Sequence, residues 1–124
     1  MVEYNFRAEK GVLYALVTGR IEAEEMMQRT EMLGQRTDLP RDLKILEDAR
    51  EAVAVFGVSD VKPMLRNIEK HLGNFDSVRH AVVHSNPMNT AFALIADQFR
   101  KDKKYRIRVF STVEAAEKWL ERDT

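Results

Sequence analysis

Between residues 43 and 120 the chain switches repeatedly from short apolar runs to stripes spaced for a helix, and few folds accept that alternation. Leu43-Lys44-Ile45-Leu46-Glu47-Asp48-Ala49 reads as a strand with an acidic far end. Val61, Met64, Leu65, Ile68 and Leu72 then recur at i, i+3, i+4 and i+7, the spacing of a helix buried on one face. Ala81–His84 is a second strand. Asn86-Pro87 opens a helix carrying Met88, Ala91, Phe92, Ile95, Ala96 and Phe99. Tyr105, Ile107 and Val109 alternate with Arg106, Arg108 and Phe110 in a further strand, and Val113, Ala116, Trp119 and Leu120 close the chain as a helix. Strands separated by helices lie parallel through right-handed crossovers.

Ahead of these units the period is two. Val2, Tyr4 and Phe6 share a face, Lys10-Gly11 makes a turn, and Val12–Val17 is a more deeply buried strand, so the chain begins with a hairpin. A first helix runs roughly over 22–36, with Ala23, Met26, Met27, Thr30 and Leu33 at helical spacing and Glu22, Glu24 and Glu25 in the first turn. The expected fold is therefore α/β: one mixed sheet of about five strands, a hairpin followed by parallel β-α units, with four helices, in a single domain over 1–124. Arg50–Gly57 reads as a partly buried connection. Asp60 is the expected cap of the second helix, placing Pro63 at its third position, and Ser111 with Glu114 reads as a capping box for the last.

Composition removes several kinds of chemistry. The 124 residues contain no cysteine, which excludes disulfides, thiolate metal sites and a thiol nucleophile. Twenty basic residues balance twenty acidic ones, an argument against nucleic acid as a partner. No apolar run approaches the roughly 20 residues of a membrane helix, and residues 1–10 alternate unlike a signal peptide, so the expected location is cytoplasmic.

In open α/β sheets ligands collect at the carboxyl ends of parallel strands, which singles out Asp48, Ala49 and Arg50, then His84, Ser85 and Asn86, then Ser111 and Thr112. Asp48 and His84 are the pair an acid–base enzyme would use, but no nucleophile elbow surrounds the serines. His80 and His84 lie roughly 13 Å apart along a strand, too far to share an ion, and His71 has no second ligand at helical spacing. No metal and no cofactor are expected. The five glycines are scattered, whereas a phosphate cradle needs them together. Arg100, Lys101, Lys103, Lys104, Arg106 and Arg108 against Asp102 form a basic segment able to contact an anion, although a solvated face explains the same residues. Met26, Met27, Met32, Met64 and Met88 offer adaptable apolar surface; Met32, off the stripe of its helix, is the one placed to meet a second copy or a ligand.

Three stretches carry a resemblance: Val58–Leu72, Val78–Val83, and Tyr105–Ser111 running on to Ala115-Ala116-Glu117-Lys118-Trp119-Leu120. In their order and patterning they resemble the STAS domain (sulfate transporter and anti-sigma factor antagonist), and more closely its SpoIIAA-like branch. That resemblance implies a non-enzymatic binding or regulatory module that recognises a protein partner or a small apolar or anionic ligand. Relatives of this kind carry a phosphorylated serine in a turn before the second helix. Here the motif departs, and the nearest phosphoacceptor is Ser59. The expected contact residues are Phe56, Ser59, Asp60, Met64 and His84. A lipid carrier, or a membrane-surface protein using Arg100, Lys101, Lys103 and Lys104, is the alternative, and a homodimer is allowed.

Overall fold

The structure is a computed structural model and describes residues 1–85 and 104–122. In chain order the described elements are β1 (Val2–Arg7), β2 (Val12–Ile21), α1 (Ala23–Gly34), β3 (Asp42–Ala54), a 3-10 turn (Val58–Asp60), α2 (Val61–Leu72), β4 (Ser77–Val83), β5 (Tyr105–Phe110) and α3 (Val113–Leu120). The helix expected at Asn86–Phe99 lies outside the described residues.

The five strands form one sheet in the order β1-β2-β3-β4-β5. Antiparallel pairing joins β1 to β2, and parallel pairing joins every later neighbour. Each hydrophobic run of the hairpin and of the β-α units thus becomes a strand beside its sequence neighbour, the arrangement with the shortest connections. The register sets Leu13 beside Ile45, Ile45 beside His80, and His80 beside Ile107.

Alternation along these strands sorts the apolar residues onto two faces. The inner face collects Leu13, Ala15, Val17, Leu43, Ile45, Ala49, Val78, Val82, Tyr105 and Ile107, and Leu33 of α1 with Val61, Met64 and Leu72 of α2 cover it. On the outer face Leu46, Ala81 and Val83 pack under Ala116, Trp119 and Leu120 of α3. There the Phe110 and Trp119 rings meet with centroids 5.7 Å apart.

Two local expectations change. Arg50–Ala54, read as connection, continues β3, because β2 runs on to Ile21 and gives it a partner: Glu51–Ala54 lie beside Thr18–Ile21. The register shifts between Leu16 and Thr18, and Gly19 adopts φ +77°, a backbone that a residue with Cβ rarely accepts. In α3 the capping oxygen belongs to Thr112, whose hydroxyl accepts the Ala115 N–H at 3.2 Å, in place of Ser111. Asp60 does stand at the start of α2, but its carboxylate accepts the Gly57 N–H at 2.9 Å and closes the 3-10 turn.

The approach of α1 to α2 depends on Gly34. A Cβ there would sit far inside contact distance of the His71 backbone carbonyl, an atom that cannot swing aside. Gly34→Ala is expected to force the helices apart and cost about 1–3 kcal/mol, the usual range for overpacking. Gly57→Ala, where an added Cβ meets nothing within 4 Å, is the control and should leave the urea midpoint nearly unchanged.

Candidate functional site

The inner face of the sheet is apolar except near its middle. Glu47 follows Leu43 and Ile45 in phase on β3, and His80 stands between Val78 and Val82 on β4, so the pleat turns both toward α1 and α2. Tyr105 opens β5 on the same face. His80 Nε2 lies 3.0 Å from Glu47 Oε1, and its Nδ1 lies 2.8 Å from the Tyr105 hydroxyl. The His80 and Glu47 side chains are 13% and 7% exposed. With the carboxylate accepting, Nε2–H donates to Glu47, and in that tautomer Nδ1 accepts the Tyr105 hydroxyl hydrogen. The His80 and Tyr105 rings are edge-on at 83°.

Two tyrosines register the buried charge. Burial, and after it the Glu47 carboxylate, pushes the Tyr4 hydroxyl up to about 12, with Arg29 and Arg36 pulling the other way. Tyr105 is raised by burial first, then by Glu47 and Tyr4.

These groups floor a cavity of about 50 Å³ between the sheet and the helices. Met26 and Met27 of α1 and Met64 and Ile68 of α2 supply apolar wall, and Arg29 and Asn67 add polar groups. Glu47 Oε2 and Asn67 Oδ1 are buried with no hydrogen-bond partner among the described residues. A buried acceptor left unpaired costs about 1–3 kcal/mol, so two of them at one cavity mark a place where a donor is missing.

Tyr105, His80 and Glu47 have the connectivity of nucleophile, base and orienting acid. The upward displacement of the Tyr105 hydroxyl opposes phenolate formation at neutral pH. The cavity is also small, about a third of the ~150 Å³ of a cavity known to seat benzene.

The residues expected from sequence are dispersed. Met64 is buried and lines the cavity. Phe56 is half-buried against the inner core. Asp60 is spent on its turn, and Ser59 is exposed beside it. His84 is half-buried just past β4, its backbone N–H donating to the Phe110 carbonyl. Asp48 lines an open groove of about 870 Å³ on the outer face, and His84 lines neither that groove nor the inner cavity. The Asp48 carboxylate is held by Arg50, at 2.9 Å and 2.8 Å, which lowers its pKa. Three more of the groove's residues contact one another within the chain: Lys10 and the Tyr14 hydroxyl both donate to Glu117 at 3.1 Å, and Arg7 also lies over the Tyr14 ring. Arg100, Lys101 and Lys103 fall outside the described residues. Lys104 donates to the Gly73 carbonyl at 2.7 Å, at the end of α2. Arg106 and Arg108 point outward as expected, Arg108 stacking over Phe110 and Trp119.

Glu47 and the network around His80 are absent from the sequence expectations. Their signal is phase: each is a polar residue in step with the apolar positions of its strand. Among the described residues, no group of acidic or histidine side chains could hold a metal ion, and no helix is long and apolar enough to cross a membrane.

The family model described as SpoIIAA-like matches residues 12–121. Six chains among solved structures match as well. One is a crystal structure of an uncharacterized protein with a SpoIIAA-like fold from Shewanella loihica PV-4, 17% identical, covering 97% of this chain and 92% of its own, with a TM-score of 0.62. At that identity the likeness speaks for the fold alone. No functionally curated protein matches the sequence.

The tyrosines make the site testable by pH. The folded state holds the Tyr4 proton more tightly than the unfolded chain, so it binds more protons at high pH, and stability must fall as pH rises. The contribution is intact below about pH 10 and lost as pH climbs through about 12. Urea titrations across that window should show the decline, and Tyr4→Phe should make it shallower, the remainder coming from Tyr105, with phenolate absorbance following unfolding in the wild type.

Proposed function

This chain belongs to the SpoIIAA-like family, and on that premise we propose that it is a non-enzymatic binding module whose ligand is received between the α1–α2 pair and the inner face of the sheet. A single observation carries the reading: a carboxylate buried under apolar wall keeps one oxygen unpaired, and that residue lines a cavity. Met26, Met27 and Met64 support it, because unbranched thioethers repack around an occupant at low cost. A cavity of about 50 Å³ matches a small head group, not the body of a lipid, and so favours limited recognition over carriage of a whole acyl chain.

Thermal shift and ligand-observed NMR with short-chain alcohols test this. Saturable stabilisation is expected in the wild type, approaching the roughly 2.7 kcal/mol gained at a hundredfold excess over Kd. Ile68→Trp, which fills the wall from α2, should abolish it while the protein stays folded. Equal responses from both proteins would place binding elsewhere.

A regulatory partner is the second reading, favoured by apolar exposure around Ser59. Val58, next to Ser59 in the 3-10 turn, is 78% exposed, and Val53, near the end of β3, is 58% exposed. Phosphate on Ser59 would add negative charge next to Asp60 and disfavour an acidic or apolar partner there. Ser59→Glu should then weaken any complex isolated with the wild type at least tenfold, measured by titration calorimetry, without changing the melting temperature.

A further inference from the structure

The floor of the inner cavity has a chemical polarity of its own. The donors on the sheet are already committed: the Tyr105 hydroxyl is directed to His80, and His80 Nε2–H to Glu47 Oε1. The Thr30 hydroxyl, also at the wall, donates to the Met26 carbonyl at 3.0 Å. Two buried acceptors are left unpaired, Glu47 Oε2 from the sheet and Asn67 Oδ1 from α2, with the Arg29 guanidinium also at the wall. One belongs to a side chain more than nine-tenths buried.

We infer that the head group bound in this cavity is a primary amine, entering as the ammonium and donating to Glu47 Oε2 and Asn67 Oδ1, with its short hydrocarbon laid against Met26, Met27 and Met64. This rests on the cavity being the binding site proposed above. Three arguments select the class. An ammonium brings three donors and no acceptor, the complement of two unpaired oxygens. Its charge meets a buried carboxylate, and a charge-assisted hydrogen bond is about twice as strong as a neutral one. Its volume fits, because about 50 Å³ exceeds the roughly 10–15 Å³ that one water-sized group needs. A carboxylate or phosphate head would face Glu47 at the floor, and Arg29 is the cationic group lining the cavity that could hold it instead.

The test is a matched series at neutral pH: ethylamine, ethanol and acetate, sized to the cavity and titrated by calorimetry and ligand-observed NMR against the wild type, Glu47→Gln and Asn67→Leu. Ethylamine should bind the wild type about tenfold tighter than ethanol, the size of one charge-assisted contact, with acetate weakest. Glu47→Gln should erase the preference for the amine while ethanol binding persists. Asn67 is half-exposed on α2, so Asn67→Leu should fold and lose amine affinity several-fold, which keeps the inference testable if the Glu47 variant does not fold. Acetate binding as tightly as ethylamine, or amine preference surviving in a folded Glu47→Gln or undiminished in Asn67→Leu, overturns the amine assignment but leaves the cavity as a binding site. Binding of none of the three overturns both.

Discussion

The register of the parallel strands is the constraint on which the rest of this structure depends. Ile45 stands beside His80 and His80 beside Ile107, so alternation sends Glu47, His80 and Tyr105 to one face with no loop involved. A slip of one residue in β3 or β4 would turn Glu47 or His80 to the outer face, toward α3, and break the trio apart. Because the apolar residues on each side fix the register, they fix the hydrogen-bonded chain too. The position of the site is a by-product of core formation.

What covers that face is a pair of helices held unusually close. Gly34 lets α1 approach the backbone of α2 at His71, and Leu33, Met64 and Leu72 close over the strands. A tight seam beside a wall of methionines combines rigidity and give. The seam fixes where the helices meet, while Met26, Met27 and Met64 can change rotamer without moving the backbone. The outer face is built differently. There Asp48 pairs with Arg50, and the Lys10–Glu117–Tyr14 cluster ties the hairpin turn to α3.

Period-two and period-3.6 patterns make the strands, the parallel order and the described helices legible in the sequence alone, since those patterns are the physical cause of burial. Arg50–Ala54 is not legible as strand. Its exposed Arg50, Glu51 and Val53 give weak alternation, and its pairing depends on β2 continuing past a register shift that no local residue announces except Gly19. Ser111 and Thr112 are chemically equivalent as caps, so only backbone geometry separates them. The site is harder to read. The strand-end rule points to polar residues such as Asp48 and His84, and the fold sets those two apart. Glu47 and His80 sit mid-strand, where a polar residue looks like an interruption; their meaning emerges only when neighbouring strands bring two interruptions into line.

Stability alone does not account for a carboxylate at position 47. Removing a charge from water costs several kcal/mol, and a single histidine contact recovers it only in part. A leucine there would continue the run of Leu43 and Ile45 and pack under α1 and α2 without leaving an oxygen unpaired. In comparable buried pairs an apolar replacement of similar volume is often neutral or stabilising. The acidic side chain therefore lowers the stability available to the fold, and the deficit is localised: one oxygen is satisfied by His80 and the other belongs to a residue lining the cavity. A donor arriving from outside would recover that deficit as binding free energy. The same atom that makes the fold less stable than it need be is the one that would make recognition of a donor specific.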